Sequence, residues 1–125
     1  MNRRNNYTSM PLSAPPEIEE NRQLSASTLS WIARHNLWNL WVPRDFGGLE
    51  VELLDGLRTL QSLARTDGSL GWTVTLCGGA NYFIGNLKPE FAAELFIGNR
   101  VILGGSGGLF GDACKTASGY RLNGQ

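Results

Sequence analysis

The sequence predicts a mainly α-helical domain followed by the first strands of a β-domain. Three observations carry that expectation. Apolar residues recur at helical spacing between residues 17 and 98, whereas residues 99–125 change to short β-branched and alternating runs. A chain of 125 residues with 42% hydrophobic and 18% charged side chains has enough apolar matter for one modest core. Its 16 glycines and 4 tryptophans point to tight backbone turns beside aromatic walls.

The elements follow in order. Residues 1–16 contain three prolines and almost no large apolar groups, so they are expected to form a disordered arm. Pro16, Glu17, Glu19 and Glu20 suit the first turn of a helix running to about His35, with Leu24 and Ile32 inward and Leu29 at the margin. The segment LWNLWVPRDFGG then ends it through Pro43 and Gly47–Gly48, with a heavy aromatic anchor. In VELLDGLRTLQSLAR, Leu53, Leu57, Leu60 and Ala64 stand four, three and four apart, which predicts one apolar helical face. Asp67 stands where an N-cap belongs, before the glycine-rich, mostly apolar stretch GSLGWTVTLCGGANYFIGNL. Its glycines at 68, 71, 78, 79 and 85 cost helix propensity, so either another helix or a ligand is expected to approach that backbone. Lys88-Pro89-Glu90 opens a short helix with Phe91 and Leu95 four apart, stopped at Gly98-Asn99. RVILGG is a β-branched run, and CKTASGYRLNG reads as two short strands around a Ser118-Gly119 turn. The expected division is therefore an arm at 1–16, an all-α domain at 17–98 and the truncated start of a β-domain at 99–125. The last hairpin stops in mid-arm, and an open edge of that kind is normally covered, so the chain is expected to be the front portion of something larger.

Composition limits the chemistry. Eleven basic and eleven acidic residues cancel, so no net field draws the chain to nucleic acid or an anionic membrane, and no apolar run approaches the length of a bilayer span. Two cysteines, Cys77 and Cys114, and a single histidine exclude a zinc site of Cys and His ligands, and no metal site is expected. The lack of a disulfide framework and of an apolar signal segment makes a cytoplasmic location the expectation. His35 reads as a helix C-terminal cation or cap rather than a base. Asp45 and Glu50, flanking the Gly-Gly turn, read as solvated carboxylates. The stretch LGGSGGLFGDA lacks the following helix of a dinucleotide fingerprint and the lysine of a P-loop. It offers bare amides and the Ser106 hydroxyl to a flat polar ligand, or serves as an inter-domain loop. Ser69 and Trp72, three apart, could line a cavity for an aromatic or acyl group; alternatively Ser69 assists a cap and Trp72 fills the core.

Taken together, "LWNLWVPRDFGGLE", "LARTDGSLGW" and "RVILGGSGGLFGDACKTASGYRLNGQ" resemble the N-terminal part of the acyl-CoA dehydrogenase family over residues 17–125. The resemblance implies that family's helical N-terminal domain, then the start of its middle β-domain, and an FAD cofactor, with FMN as the alternative. It implies an oxidoreductase acting on CH–CH groups, with the protein supplying position and electrostatics. The family's Thr-Glu-Pro stretch falls on Ser106-Gly107-Gly108, and Ser106 would meet the flavin ring where the family has Thr. Leu103 and Gly105 would lie against the ring system, and Gly111 and Asp112 at the turn facing flavin and substrate. Gly107, Gly108 and Asp112-Ala113 depart from the family pattern and put recognition of an acyl-CoA thioester in doubt. These departures and the Asp-x-Ser-x-x-Trp segment of residues 67–72 resemble the flavin-dependent monooxygenase branch of the same fold, which acts on aromatic or heterocyclic substrates. No catalytic residue is expected in this chain, because the family's glutamate base comes from a C-terminal bundle. The resemblance also implies a homo-oligomer at full length. The rival from another class is a noncatalytic helical interaction module completed by strand addition.

Overall fold

The computed structural model describes residues 20–98, 101–105, 108 and 110–124. The expected arm at 1–16 and Ser106 lie outside the described residues. Among the described residues four α-helices come first and one antiparallel hairpin last. They are α1 (Ala26–Arg34), α2 (Leu53–Thr66), α3 (Gly68–Asn81), α4 (Pro89–Phe96), β1 (Gly111–Thr116) and β2 (Gly119–Gly124). None of the described helices is long and apolar enough to cross a membrane.

A single helix reaching to His35 is not what forms. The chain breaks before α1, with Arg22 at φ 51° and Ser25 extended at φ −65°, ψ 156°. Ser25 Oγ accepts the Thr28 N–H at 3.2 Å, so a hydroxyl satisfies an amide that the first helical turn leaves unpaired. Glu20 and Asn21 are helical as well, so the break at Arg22 separates them from α1, which has this cap as its own start. Ile32 and Trp31 are buried and Leu24 packs beside them, whereas Leu29 is exposed. His35 closes α1 as its C-cap; its ring lies 4.4 Å from that of Trp31, and Nδ1 is 2.9 Å from the Trp31 carbonyl oxygen.

Between α1 and α2 the chain makes two 3₁₀ turns, Leu37–Asn39 and Arg44–Phe46, and doubles back on itself. The amides of Leu49, Glu50 and Val51 donate to the carbonyls of Asn39, Val42 and Leu40 at 2.9, 3.1 and 2.9 Å. A side chain at Gly48 would collide with the Val42 carbonyl, so only glycine lets the two arms close. Glu50 is not simply solvated: its carboxylate accepts the Arg44 N–H at 2.9 Å and clasps the turn.

Helix α2 forms where its leucine period predicts, but it buries another face. Gly56, Thr59, Leu60 and Leu63 point inward, while Leu53 and Leu57 are 63% and 49% exposed and Ala64 is exposed as well. The cause is Trp41, whose indole lies 2.6 Å from where a Cβ on Gly56 would stand; only the stripe with the glycine admits the ring that closely. Asp67 ends α2 with its N–H bonded to Leu63 and starts α3 with Oδ1 accepting the Leu70 N–H at 2.7 Å. The expected cap is therefore present, and one residue serves both helices.

In α3 the inward stripe is Leu70, Gly71, Val74, Gly78 and Asn81. Close packing explains Gly71, whereas positions Gly68, Gly79 and Gly85 have open space around them, so the uniform reading of the glycines is corrected. The helix ends at Asn81 and passes into a 3₁₀ turn, Tyr82–Asn86, that buries Ile84. Helix α4 starts at Pro89 as expected, but it buries Ala92 and Phe96 while Phe91 is half exposed, because the buried two join Val42 and Ile84 in a second core, apart from the first core around Ile32, Leu63 and Val74. Val101 and Leu103 pack on this second cluster and Ile102 points outward. The RVILGG run is thus extended in its alternation, yet its described part joins no strand ladder.

The hairpin pairs Gly111 with Gly124 through to Thr116 with Gly119, so the two-residue loop is Ala117-Ser118, one position before the turn expected from the sequence. Every residue of both strands is exposed.

Candidate functional site

The candidate flavin-facing residues occupy the chain after α4. Leu103 is half-buried, with its side chain against the second core and its N–H donating to Asn81 Oδ1 at 2.7 Å. That amide is therefore spent inside the protein, and the bare backbone available from this stretch belongs to the next residues. Gly104 and Gly105 are exposed, and a Cβ on either would meet nothing within 4 Å among the described residues. Gly111 and Asp112 begin β1, and both line a shallow cleft of ≈ 410 Å³ with Leu122, Asn123 and Gly124. Ser106 falls outside the described residues.

Asn81 is the residue that sequence reasoning passed over. It is fully buried, and its Nδ2 donates to Asn39 Oδ1 at 2.7 Å, the Trp38 carbonyl at 3.1 Å and the Val101 carbonyl at 3.3 Å. The signal was present: Asn81 continues the inward stripe of Leu70, Val74 and Gly78, and a polar side chain there must find partners or pay for lost hydration.

The proposed substrate-pocket pair, Ser69 and Trp72, sits at the other end of α3. Both are exposed, Trp72 at 66%, so the core-filling reading of that tryptophan is excluded. Ser69 does not cap the helix; Asp67 does, and the Ser69 carbonyl accepts the Thr73 hydroxyl at 2.7 Å. At a rise of about 1.5 Å per residue, roughly 18 Å of helix separates Ser69 from Asn81. The candidates therefore form two groups, one at each end of α3, and the described residues do not bring them together.

A second concavity of ≈ 530 Å³ lies between α3 and the chain leading into α2, lined by Trp41, Glu50, Val51, Glu52, Leu53, Gly79 and Tyr82. The Trp41 Nε1–H beside it is buried and has no hydrogen-bond partner among the described residues. Among the described residues no cluster of His, Cys, Asp and Glu could hold a metal ion. Cys114 is exposed, and Cys77 is half-buried, where desolvation pushes its thiol above the ordinary value of 9.0.

Comparison with known proteins gives low but consistent likeness. No family model matches, and no solved structure matches. The chain is 26% identical over 111 residues to an indole-3-acetate monooxygenase of Pseudomonas putida, covering 87% of this chain and 28% of that protein. It is 25% identical over 110 residues to a pigment production hydroxylase of Rhodococcus, again covering 87% of this chain and 28% of the relative. A second indole-3-acetate monooxygenase, from Acinetobacter baumannii, is 26% identical over 95 residues, which is 75% of this chain and 24% of that protein. The chain thus spans about a quarter of the length of the curated relatives it matches, and over that span it is similar to oxygen-inserting enzymes.

Proposed function

We propose that this chain is the N-terminal part of a flavin-dependent oxidoreductase with an acyl-CoA dehydrogenase-like fold, and that the complete protein is a monooxygenase or hydroxylase of aromatic or heterocyclic compounds. The observation that carries the reading is the likeness to two indole-3-acetate monooxygenases and a pigment hydroxylase across most of this chain. The order of helices, glycine-rich passage and hairpin supports it.

The residues present fit a flat cofactor: Gly104 and Gly105 leave open backbone on which a planar ring could rest, and Gly111 and Asp112 line a cleft on the hairpin. Leu103, Gly105, Ser106, Gly111 and Asp112 are the proposed flavin-facing set, FAD being preferred and FMN the alternative. Bound flavin would supply the redox chemistry. The chain's own part is to hold that backbone in place, through Leu103 packed on the second core, and to keep a half-apolar wall at Ser69 and Trp72 for the substrate. Dehydrogenation of an acyl-CoA is the second reading, favoured by the likeness of the SGYRLNG hairpin to that family. The free Cys77 and Cys114 support a cytoplasmic location, and a homo-oligomer is proposed for the full-length protein.

The test uses the full-length gene product. Oxidised and anaerobically reduced FAD and FMN are titrated in, followed by oxygen with an indole-type substrate or, separately, an acyl-CoA with a dye acceptor. Saturable flavin binding with oxygen-dependent product is the expected result. Turnover of the thioester alone would select the dehydrogenase, and no binding of either flavin in either redox state would overturn the flavin reading.

A further inference from the structure

We propose that Asn81 is a positioning residue that, by holding Leu103, sets the place of the flavin-facing backbone at Gly104–Gly105 relative to α3; the inference rests on the flavin reading above. The segment 101–105 joins no sheet ladder among the described residues, so it needs another source of order. Asn81 supplies two hydrogen bonds to it, accepting the Leu103 N–H at 2.7 Å and donating to the Val101 carbonyl at 3.3 Å. The same side chain is anchored on its other flank by Asn39 Oδ1 at 2.7 Å and the Trp38 carbonyl at 3.1 Å. One fully buried group therefore links the end of α3, the turn after α1 and the entry to the glycine-rich passage.

The chemistry selects an amide. Leu103 presents a donor, whereas Trp38, Asn39 and Val101 present acceptors, so the side chain must offer an oxygen on one edge and N–H groups on the other. This also fixes the amide orientation, because the flipped rotamer would set oxygen against three acceptors and NH₂ against a donor. A carboxylate fails on the same ground. Alanine would leave the Leu103 N–H and the Val101 carbonyl without these partners at a part-buried place, and the backbone would shift to find others. Gly104 and Gly105 follow directly, so the hold on Leu103 fixes where their otherwise free backbone begins.

The experiment compares full-length wild type with Asn81→Ala, Asn81→Asp and the core control Val74→Ala, which removes apolar contact from the same face of α3. Flavin dissociation constant, the absorbance maximum of bound flavin, and Tm are read for each. Both Asn81 variants are expected to weaken flavin binding tenfold or more and to shift the bound-flavin spectrum. Val74→Ala is expected to lower Tm at least as much while leaving affinity within twofold. If the Asn81 variants do not fold, Asn39→Ala releases the same amide from outside and is expected to weaken binding at least threefold. Folded variants that match the control in affinity and spectrum would overturn the proposal and leave Asn81 a purely structural residue. Failure of wild type to bind any flavin would instead overturn the flavin reading itself, and this proposal with it.

Discussion

A methyl group on Gly71 would stand 2.5 Å from the Cα of Ala64 and 2.6 Å from its Cβ, so α2 and α3 meet there with only hydrogen atoms between them. The obstacle includes backbone, which cannot swing aside. Gly71→Ala is therefore expected to destabilise the helical domain by about 1–3 kcal/mol, although alanine is the better helix former by about 1 kcal/mol. Gly79→Ala, eight residues further along α3 with nothing within 4 Å of its Cβ position, should stabilise by about 0.5–1 kcal/mol. Thermal unfolding of both variants checks the pair; equal shifts of the same sign would show that this approach does not set the packing.

Asp67 satisfies the Leu70 amide from outside the helix it starts. Asp67→Ala should cost about 1 kcal/mol, whereas Asp67→Asn should keep most of the cap. Chemical denaturation of the three proteins distinguishes them, and an alanine variant as stable as wild type would contradict the assignment.

The two thiols should differ in reactivity. Burial raises the pKa of Cys77 above 9.0, so the neutral thiol persists where an ordinary one has begun to ionise. Its alkylation by iodoacetamide should be slow at neutral pH and should still be rising as pH passes 9.0. Peptide mass spectrometry across pH gives the midpoint, and a value below 9.0 would reverse the expected direction.

Trp72 offers a separation of stability from binding. With 66% of its surface exposed, Trp72→Ala should change the unfolding free energy of the helical domain by no more than about 0.5 kcal/mol. If the side chain faces substrate in the complete protein, the same variant should raise the KM for an aromatic substrate severalfold, as should Ser69→Ala to a lesser degree. A large fall in Tm with an unchanged KM would assign Trp72 to domain packing instead.

The helices were readable because spacing, caps and prolines are local properties. Asp67 and Pro89 stand where the sequence places a start, and the change from helices to a hairpin follows the change of period. Which stripe turns inward was less readable. Leucines 53 and 57 satisfy a helical period as well as Leu60 and Leu63 do, and only the arrival of Trp41 on Gly56, fifteen residues away, decides between them. The same holds for Phe91 against Phe96. The break at Arg22 and the cap at Ser25 were passed over behind the acidic run upstream, and Asn81 within the small-residue stretch around it. Of the candidate site, the glycines and Asp112 are expectations drawn from the sequence; Asn81 is signalled by its place on the inward stripe, but its four partners are not, since they come from segments some 20 and 43 residues distant.

The hairpin carries a built-in indicator of its surroundings. Its six residue pairs are regular, yet neither face is covered by the rest of the described chain. A bare two-stranded ribbon is marginal in water, so its ladder amides should surrender their protons to deuterated solvent almost as fast as an open loop. In the complete protein, the deuterium uptake of residues 111–124 therefore reports coverage directly. Slow uptake there would mean that another part of the molecule lies over the ribbon, and any further slowing on adding flavin would mark the cofactor's arrival at Gly111 and Asp112.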